Sequence, residues 1–343
     1  MKVFLKTEKR GEGMSNPVII EEFRGESLEN THQGLICILN EEKEVIYEKG
    51  DIDQYVFYRS AMKPLQAIPA FTTNMVEKYR LTPEETALFT ASQRGEAYHQ
   101  DALESLLNKL QVKEGALVCN PSYPLNDAPK DTYIWDHKPR RRLLHNCSGK
   151  HLGFLGYIKE KGYDVNGYEQ LNHPLQQEIL EYVADLAEIE KNKIQTAIDG
   201  CGVPVHAVPL RNMALSFLKF VHTDLIANEQ TANAVRKVGD VMNAQPEIVA
   251  SHDFICTALL EDENIIAKGG AQGVYCLALR KEKMSIALKV LSGSELVWPV
   301  LVAALLKKIH YQNQDTIERL LKIRSMDIMN DNGKLVGQTK VYL

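Results

Sequence analysis

The first residues that suggest chemistry are a serine and a lysine three positions apart, in the stretch Arg59-Ser60-Ala61-Met62-Lys63-Pro64. In a helix, Ser60 and Lys63 lie on one face, so the amine can reach the hydroxyl. A neutral lysine can take the proton of the serine and make the hydroxyl a nucleophile. Pro64 indicates a helix start, where the positive end of the helix dipole favours a serine oxyanion and disfavours a charged lysine. The motif alone is weak, because both residue types are common on surfaces.

Composition restricts the class of protein that carries this pair. The chain has 343 residues, of which 44% are hydrophobic and 25% charged, and its net charge is -5. That balance excludes the basic footprint of a nucleic-acid binder. The longest apolar run, residues 296–306, is too short to cross a bilayer, and the N-terminus has no secretory apolar core. Six cysteines in a chain of this length do not form a disulfide scaffold, so we expect a reduced, cytoplasmic protein.

The pattern of apolar runs and turn residues predicts one α/β (α+β) unit with a mostly antiparallel sheet flanked by helices. Residues 18–20, 34–39 and 44–47 have strand character, and residues 40–43 form a natural hairpin loop. We expect strands from both ends of the chain to share one sheet. Residues 1–16 are predicted to be an N-terminal extension, and residues 17–343 the catalytic domain. Residues 119–142 are predicted to be a long surface flap anchored by Trp135.

Three further stretches carry residues suited to a site. Ser92 follows a helix that is predicted to begin at Pro83, although a cap or turn residue is the plain structural interpretation. The stretch 144–151 gathers two histidines, a cysteine and a lysine around one glycine at a helix entrance. A metal site built from these side chains with help from elsewhere, and a buried cysteine in a tight turn, are equally compatible with the pattern. The stretch 199–204 places an acid and a cysteine between glycines at a strand end, as site loops do.

A late lysine completes the pattern. Lys268 lies in a strand and is followed by Gly269 and Gly270. The order of a Ser-x-x-Lys motif, a loop serine and a Lys-x-Gly strand resembles that of serine β-lactamases and penicillin-binding proteins. A clear Ser-Asp-Asn motif is missing, so the resemblance is one of fold and chemistry.

A closer resemblance is to the rhizobial-type L-asparaginases, the asparaginase II family. It extends from about residue 17 to the C-terminus and depends on four stretches in family order, residues 59–67, 144–151, 199–204 and 268–273. This resemblance implies a serine β-lactamase/glutaminase-like fold, hydrolysis of L-asparagine to aspartate and ammonia, and a homodimer. It also implies a zinc ion held near the substrate; the implied ligands are Cys147, Lys150 and Cys201. The serine–lysine pairs that it implies are Ser60 with Lys63, and Ser92 with Lys268.

The chain departs from the family at three places around the presumed pocket. Gln93 and Arg94 stand where the family usually has histidine and serine, and Gln272 stands where glutamate is common. In the stretch 250–257 the family usually has alanine-glycine and then an arginine shortly before cysteine-threonine. This chain lacks that pattern and has Phe254 there. These changes leave the predicted chemistry in place and leave the identity of the substrate open.

The residues themselves suggest a mechanism. Ser60 is favoured as the nucleophile because Lys63 is the best-placed base; Ser92 with Lys268 forms a second relay, and the roles can be exchanged. A free amino-acid amide also needs partners for its charged groups. Asp199 and Glu96 are candidates for its ammonium group and Arg59 for its carboxylate, and Cys256 is included among the substrate contacts.

Other functions fit the same residues. One is a zinc hydrolase that uses Cys147, Cys201 and a histidine, with structural serines. Another is an amino-acid or metal sensor without turnover, and a third is a β-lactam-reactive hydrolase. The expected partner is a small amino-acid amide, with neither nucleic acid nor membrane.

Overall fold

The computed structural model describes residues 16–343. The predicted N-terminal extension, residues 1–16, therefore lies outside the described residues except for its last position. Among the helices of the described part, none combines the length and the apolar character that crossing a bilayer requires.

Eleven strands form two sheets in the described part of the chain. Their bounds are β1 Val18–Arg24, β2 Ser27–Leu39, β3 Val45–Lys49, β4 Tyr55–Phe57, β5 Gln195–Ile198, β6 Pro204–Pro209, β7 Ile265–Gly269, β8 Val274–Leu279, β9 Met284–Val290, β10 Asp327–Met329 and β11 Leu335–Val341. The large sheet has the order β10-β11-β1-β2-β9-β8-β7, with β3 also paired to β2, and the small sheet has the order β4-β6-β5. All pairings are antiparallel. The predicted fold class and the sharing of one sheet by both chain ends, through β1 and β11, are confirmed.

Thirteen α-helices surround these sheets in residues 16–343. Their bounds are α1 Lys63–Phe71, α2 Met75–Lys78, α3 Pro83–Ala87, α4 Ala97–Leu110, α5 Asp127–Trp135, α6 Ser148–Lys161, α7 Pro174–Ala187, α8 Leu210–Val221, α9 Glu229–Ala244, α10 Pro246–Val249, α11 Ile255–Leu260, α12 Trp298–Lys308 and α13 Gln314–Ile323. Helix α3 begins as predicted. Thr82 and Glu85 each accept a bond from the other's backbone N–H, which satisfies two otherwise unpaired donors.

The large sheet is buried on both faces by two hydrophobic cores. Along β2, Leu35 and Cys37 belong to the first core and Ile36 and Ile38 to the second, because successive side chains of a strand point to opposite faces. Helices α1, α6 and α8 contribute to the first core, and α11, α12 and α13 to the second. In β7, Ile266 belongs to the first core. The same alternation directs Lys268 towards the first core, on the side of α1 and α6.

The prediction for residues 119–142 is wrong in two respects. The stretch contains helix α5, and Trp135 at its end is 84% exposed, so it does not anchor the segment. Tyr133 is the aromatic residue that packs inward. The apolar face of a single helical turn can bury one of these two aromatic rings, and the sequence did not distinguish them.

Candidate active site

Ser92 lies between two lysine amines. Its hydroxyl oxygen is 3.0 Å from Lys63 Nζ and 3.0 Å from Lys268 Nζ. Both lysines are 1% exposed, whereas Ser92 is partly exposed. A ligand can therefore reach the hydroxyl while the two amines stay shielded from water.

Three hydrogen bonds fix the loop that carries Ser92. The backbone N–H of Ser92 donates to Val249 O at 2.8 Å. Gln93 donates through Nε2 to His145 O at 2.9 Å and accepts through Oε1 from the Gly95 N–H. Gly95 has a φ of +83°, and a Cβ there would lie 2.7 Å from Pro124 Cα. Gln93, a departure from the family pattern, thus connects the Ser92 loop to the loop that precedes α6.

The pairing of Ser60 with Lys63, expected from their spacing, is not among the hydrogen bonds of the described residues. Residues 59–62 form a 3₁₀ turn, and α1 begins at Lys63. The Lys63 amine instead contacts Ala91 O at 2.7 Å, Asn146 O at 3.3 Å and Ser92 Oγ at 3.0 Å. Two main-chain carbonyls therefore direct Lys63 towards Ser92. Ser60 is half-buried.

The two lysines differ in their surroundings. An ammonium group has three N–H donors, and Lys63 has three acceptors in contact. Lys268 contacts one carbonyl, Gly269 O at 2.9 Å, in addition to Ser92. Burial lowers the pKa of Lys63, while the nearby Cys147 and Cys201 thiols oppose the change. Burial lowers the pKa of Lys268 to about 8.

Arg59 and Asp199 form an ion pair near Ser60, with Nε of the arginine 2.8 Å from Oδ1 of the aspartate. Burial opposes ionisation of Asp199, but the charges of Lys150 and Arg59 outweigh it and lower the pKa of the carboxyl. Arg59 has a φ of +52°, a left-handed conformation that is uncommon for a residue with a side chain. The turn that carries Ser60 is thus fixed by contacts with the rest of the fold.

The other two predicted substrate contacts already have partners. Glu96 accepts a hydrogen bond from Asn126 Nδ2 at 2.6 Å. Cys256 is buried, and its sulfur accepts from the Gly269 N–H and the Tyr275 hydroxyl, each at 3.3 Å. Cys256 therefore supports the end of the strand that carries Lys268. Contact of either side chain with a substrate stays a prediction.

The three predicted metal ligands are buried together. Lys150 Nζ is 3.1 Å from Cys201 Sγ. A hydrogen bond from Cys201, assisted by the charges of Lys63 and Lys150, holds the pKa of the Cys147 thiol well below its usual range. Burial would lower the pKa of Lys150, but the charges of Cys201, Cys147 and Asp199 outweigh it and raise the pKa. The pKa of the Cys201 thiol, which Lys150 contacts, is raised by its hydrogen bond to Cys147 and by burial.

The two cysteine sulfurs are ligands that zinc prefers, and Nε2 of the adjacent His151 is buried without a hydrogen-bond partner in the described part. No cluster of three or more histidine, cysteine or acidic side chains suited to a metal occurs in residues 16–343. The predicted set contains only two such residues, and Lys150 must lose its proton to join them.

The sequence missed two charged or polar residues of this region. Asn126 contacts Glu96 and also donates to Ser251 Oγ at 2.9 Å. Glu295 follows β9, and its carboxylate accepts from the Gln272 N–H at 3.2 Å. Glu295 could have been found from its position after Ser292-Gly293-Ser294, in a loop between a strand and a helix.

The solved structures that match this chain are distant from it in sequence. A β-lactamase from Mycobacterium bovis is 13% identical, with a TM-score of 0.39, over 80% of this chain and 94% of the other. A Bacillus glutaminase is 15% identical, with a TM-score of 0.36, over 82% and 92%. A D-alanine carboxypeptidase from Burkholderia cenocepacia is 13% identical, with a TM-score of 0.38, over 84% and 93%. No curated protein sequence matches the chain significantly.

A family-level match covers nearly the whole chain. The sequence profile of the L-asparaginase II family matches residues 20–341, which include every predicted site residue. The match agrees with the resemblance found from the four sequence stretches. The chain therefore belongs to the L-asparaginase II family and is an amidohydrolase.

Proposed function

We propose that the protein hydrolyses the side-chain amide of an amino acid, with L-asparagine as the substrate to test first. The products are L-aspartate and ammonia, formed through an ester on Ser92. The observation that carries this proposal is the position of the Ser92 hydroxyl, 3.0 Å from each of two buried lysine amines. Membership of the L-asparaginase II family supports the choice of substrate class.

Lys268 is proposed as the base and Lys63 as the positive charge beside the nucleophile. Burial brings the pKa of Lys268 to about 8, so a useful fraction of its amine is neutral near pH 7. Lys63 has acceptors for all three ammonium protons, which favours its charged form. A charged donor at 3.0 Å stabilises negative charge that develops on the serine oxygen.

The reaction then proceeds in two halves. Ser92 Oγ forms a bond to the amide carbon and gives its proton to Lys268 Nζ. The C–N bond breaks, and the lysine proton moves to the departing nitrogen, which leaves as ammonia. Water attacks the ester carbon and gives a proton to Lys268, and the C–O bond to Ser92 breaks. Lys268 returns the proton to Ser92, and aspartate is released.

Ser60 is proposed as a polar contact beside the reacting amide rather than as the nucleophile. No described residue forms a hydrogen bond with its hydroxyl, whereas both lysines contact Ser92. The sequence-based assignment of the charged substrate groups to Arg59, Asp199 and Glu96 stays a prediction, although Arg59 and Asp199 already form an ion pair with each other. Cys256 is proposed to act through the end of β7, where it bonds to the Gly269 N–H.

Zinc is proposed as a cofactor held by Cys147, Lys150 and Cys201. When bound, it would supply fixed positive charge beside the substrate. A homodimer and a cytoplasmic location are also proposed. The six cysteines are all unpaired, which supports a reducing compartment.

The decisive experiment measures ammonia release from asparagine, glutamine and small amides by the parent protein and by Ser92→Ala. We expect the substitution to lower kcat at least ~10²–10⁴-fold, the effect usually associated with loss of such a group. Ser60→Ala should lose less, and Ser27→Ala, at an exposed serine that begins β2, is the matched control and should keep the parent turnover. Normal turnover by Ser92→Ala would show that this serine is not the nucleophile. Complete loss of activity on chelation, together with active serine variants, would favour a zinc hydrolase.

A further inference from the structure

The guanidinium group of Arg94 forms no ion pair with an acidic side chain in the described part of the chain. It is half-buried, its Nε donates to Asn126 Oδ1, and its charge lies over the Phe254 ring with Cζ 4.9 Å from the ring centroid. Burial lowers the pKa of Arg94, and Glu295 is the first of the acids that oppose this change. The two departures from the family pattern, at positions 94 and 254, therefore form one contact.

Glu295 is the complementary case, a carboxylate without a basic partner. Its Oε1 accepts from the backbone N–H of Gln272, four residues after Lys268, which fixes it close to the catalytic strand. The Glu295 side chain is exposed, but desolvation by the surrounding protein raises the pKa of its carboxyl, and the positive charges of Lys268, Arg94 and Arg59 act against the rise. No lysine or arginine of the described part forms an ion pair with it. Glu295 thus lies within electrostatic reach of Lys268 and Arg94 together.

The side chains expected to bind the charged groups of the substrate already have partners. Arg59 is paired with Asp199 at 2.8 Å, and Glu96 holds Asn126 at 2.6 Å. A ligand that uses these groups must compete with existing bonds. A ligand that uses an unpaired, partly desolvated charge gains the full interaction without breaking a pair.

We propose that Arg94 binds the α-carboxylate and Glu295 the α-ammonium group of the substrate. This inference rests on the proposed function, because it places the amide of the same molecule at Ser92. The planar guanidinium matches a carboxylate with two parallel N–H bonds, and Phe254 keeps its plane in position. The two residues therefore select free α-amino acids over simple amides.

The test compares asparagine with analogues that lack one charge. Succinamate lacks the ammonium group, and 3-aminopropanamide lacks the carboxylate. We measure KM and kcat for asparagine, and the constants with which both analogues inhibit asparagine turnover. Glu295→Gln should raise KM for asparagine about ten- to a hundredfold and leave succinamate inhibition unchanged. Arg94→Gln should raise KM for asparagine by a similar factor and leave inhibition by 3-aminopropanamide unchanged. In both variants kcat should change little.

Matched controls show whether charge alone is responsible. Arg140→Gln removes an exposed arginine that also lies over an aromatic ring, with Cζ 5.0 Å from the Tyr123 centroid. Glu42→Gln removes an exposed glutamate in the β2–β3 hairpin. Both controls should keep the parent constants. An unchanged KM in the site variants, or equal weakening of asparagine and of the analogue that lacks the matching charge, overturns the assignment.

A separate measurement distinguishes this inference from the proposed function. If the parent protein releases no ammonia from any amide, the proposed function fails. The increase in melting temperature caused by L-asparagine then reports binding directly. A shift in the parent that is lost in Glu295→Gln and in Arg94→Gln, but kept in the two controls, supports the assignment. No shift in the parent overturns it.

Discussion

Replacing Lys268 with methionine is expected to stabilise the protein while removing most of its activity. Methionine is unbranched and of similar length, so it can occupy the buried path of the lysine side chain. The lysine is 1% exposed, and its pKa falls from 10.5 to about 8. At about 1.4 kcal/mol per pH unit, this fall means that the folded state disfavours the ammonium form by about 3 kcal/mol.

Part of this gain in the free energy of unfolding is lost again, because the methionine cannot donate a hydrogen bond. The Lys268 amine contacts Gly269 O and Ser92 Oγ, and the methionine leaves the carbonyl without this donor. An unsatisfied buried acceptor costs about 1–3 kcal/mol. We therefore expect the free energy of unfolding to increase by about 0–2 kcal/mol at pH 7, while kcat falls ~10²–10⁴-fold.

The pH dependence separates this explanation from simple repacking. Because the folded pKa of Lys268 lies below the unfolded one, the unfolded parent protein binds more protons between pH 8 and 10.5. Parent stability therefore rises through this window, and the advantage of the variant shrinks. Below pH 8 the advantage is fully present.

Urea unfolding at pH 7, 9 and 10.5, together with ammonia release, measures both effects. Lys307→Met, at an exposed lysine on α12, is the control and should change neither stability nor turnover. A Lys268→Met protein that is less stable than the parent at pH 7 would refute the argument from burial. A stability difference that is the same at all three pH values would refute the assigned titration.

The remaining predictions concern pH, metal content and packing. Since the neutral form of Lys268 is the proposed base, kcat/KM for the amide should rise about tenfold per pH unit below pH 8 and level off above it; a profile that is flat down to pH 5 contradicts a lysine base. Protein purified without chelator should contain zinc, measured by elemental analysis, that disappears when Cys147 and Cys201 are both replaced by alanine; a parent without zinc contradicts the metal assignment. In Gly270→Ala, the new Cβ would lie 2.5 Å from the Tyr58 carbonyl oxygen, so the melting temperature and turnover should both fall, whereas Gly115→Ala has open space around it and should retain both.

Local sequence rules predicted much of the fold. A continuous apolar run identified the strand at residues 34–39, and a proline followed by two glutamates at residues 83–85 identified the start of α3. These features depend on neighbours a few positions away. The interpretation of residues 119–142 was wrong because no local rule shows which aromatic ring of α5 faces the core.

The sequence by itself determined which chemical groups the protein has: two serines, two lysines and a sulfur-rich set in the order of one family. Only the tertiary structure decided which of them meet. Lys63 contacts Ser92, 29 positions away, and Lys268 reaches the same oxygen across 176 positions. The physical reason is that a lysine amine on a flexible stem bonds to the acceptors that packing brings to it. Burial, which lowers the pKa of both amines, is likewise a property of the whole fold.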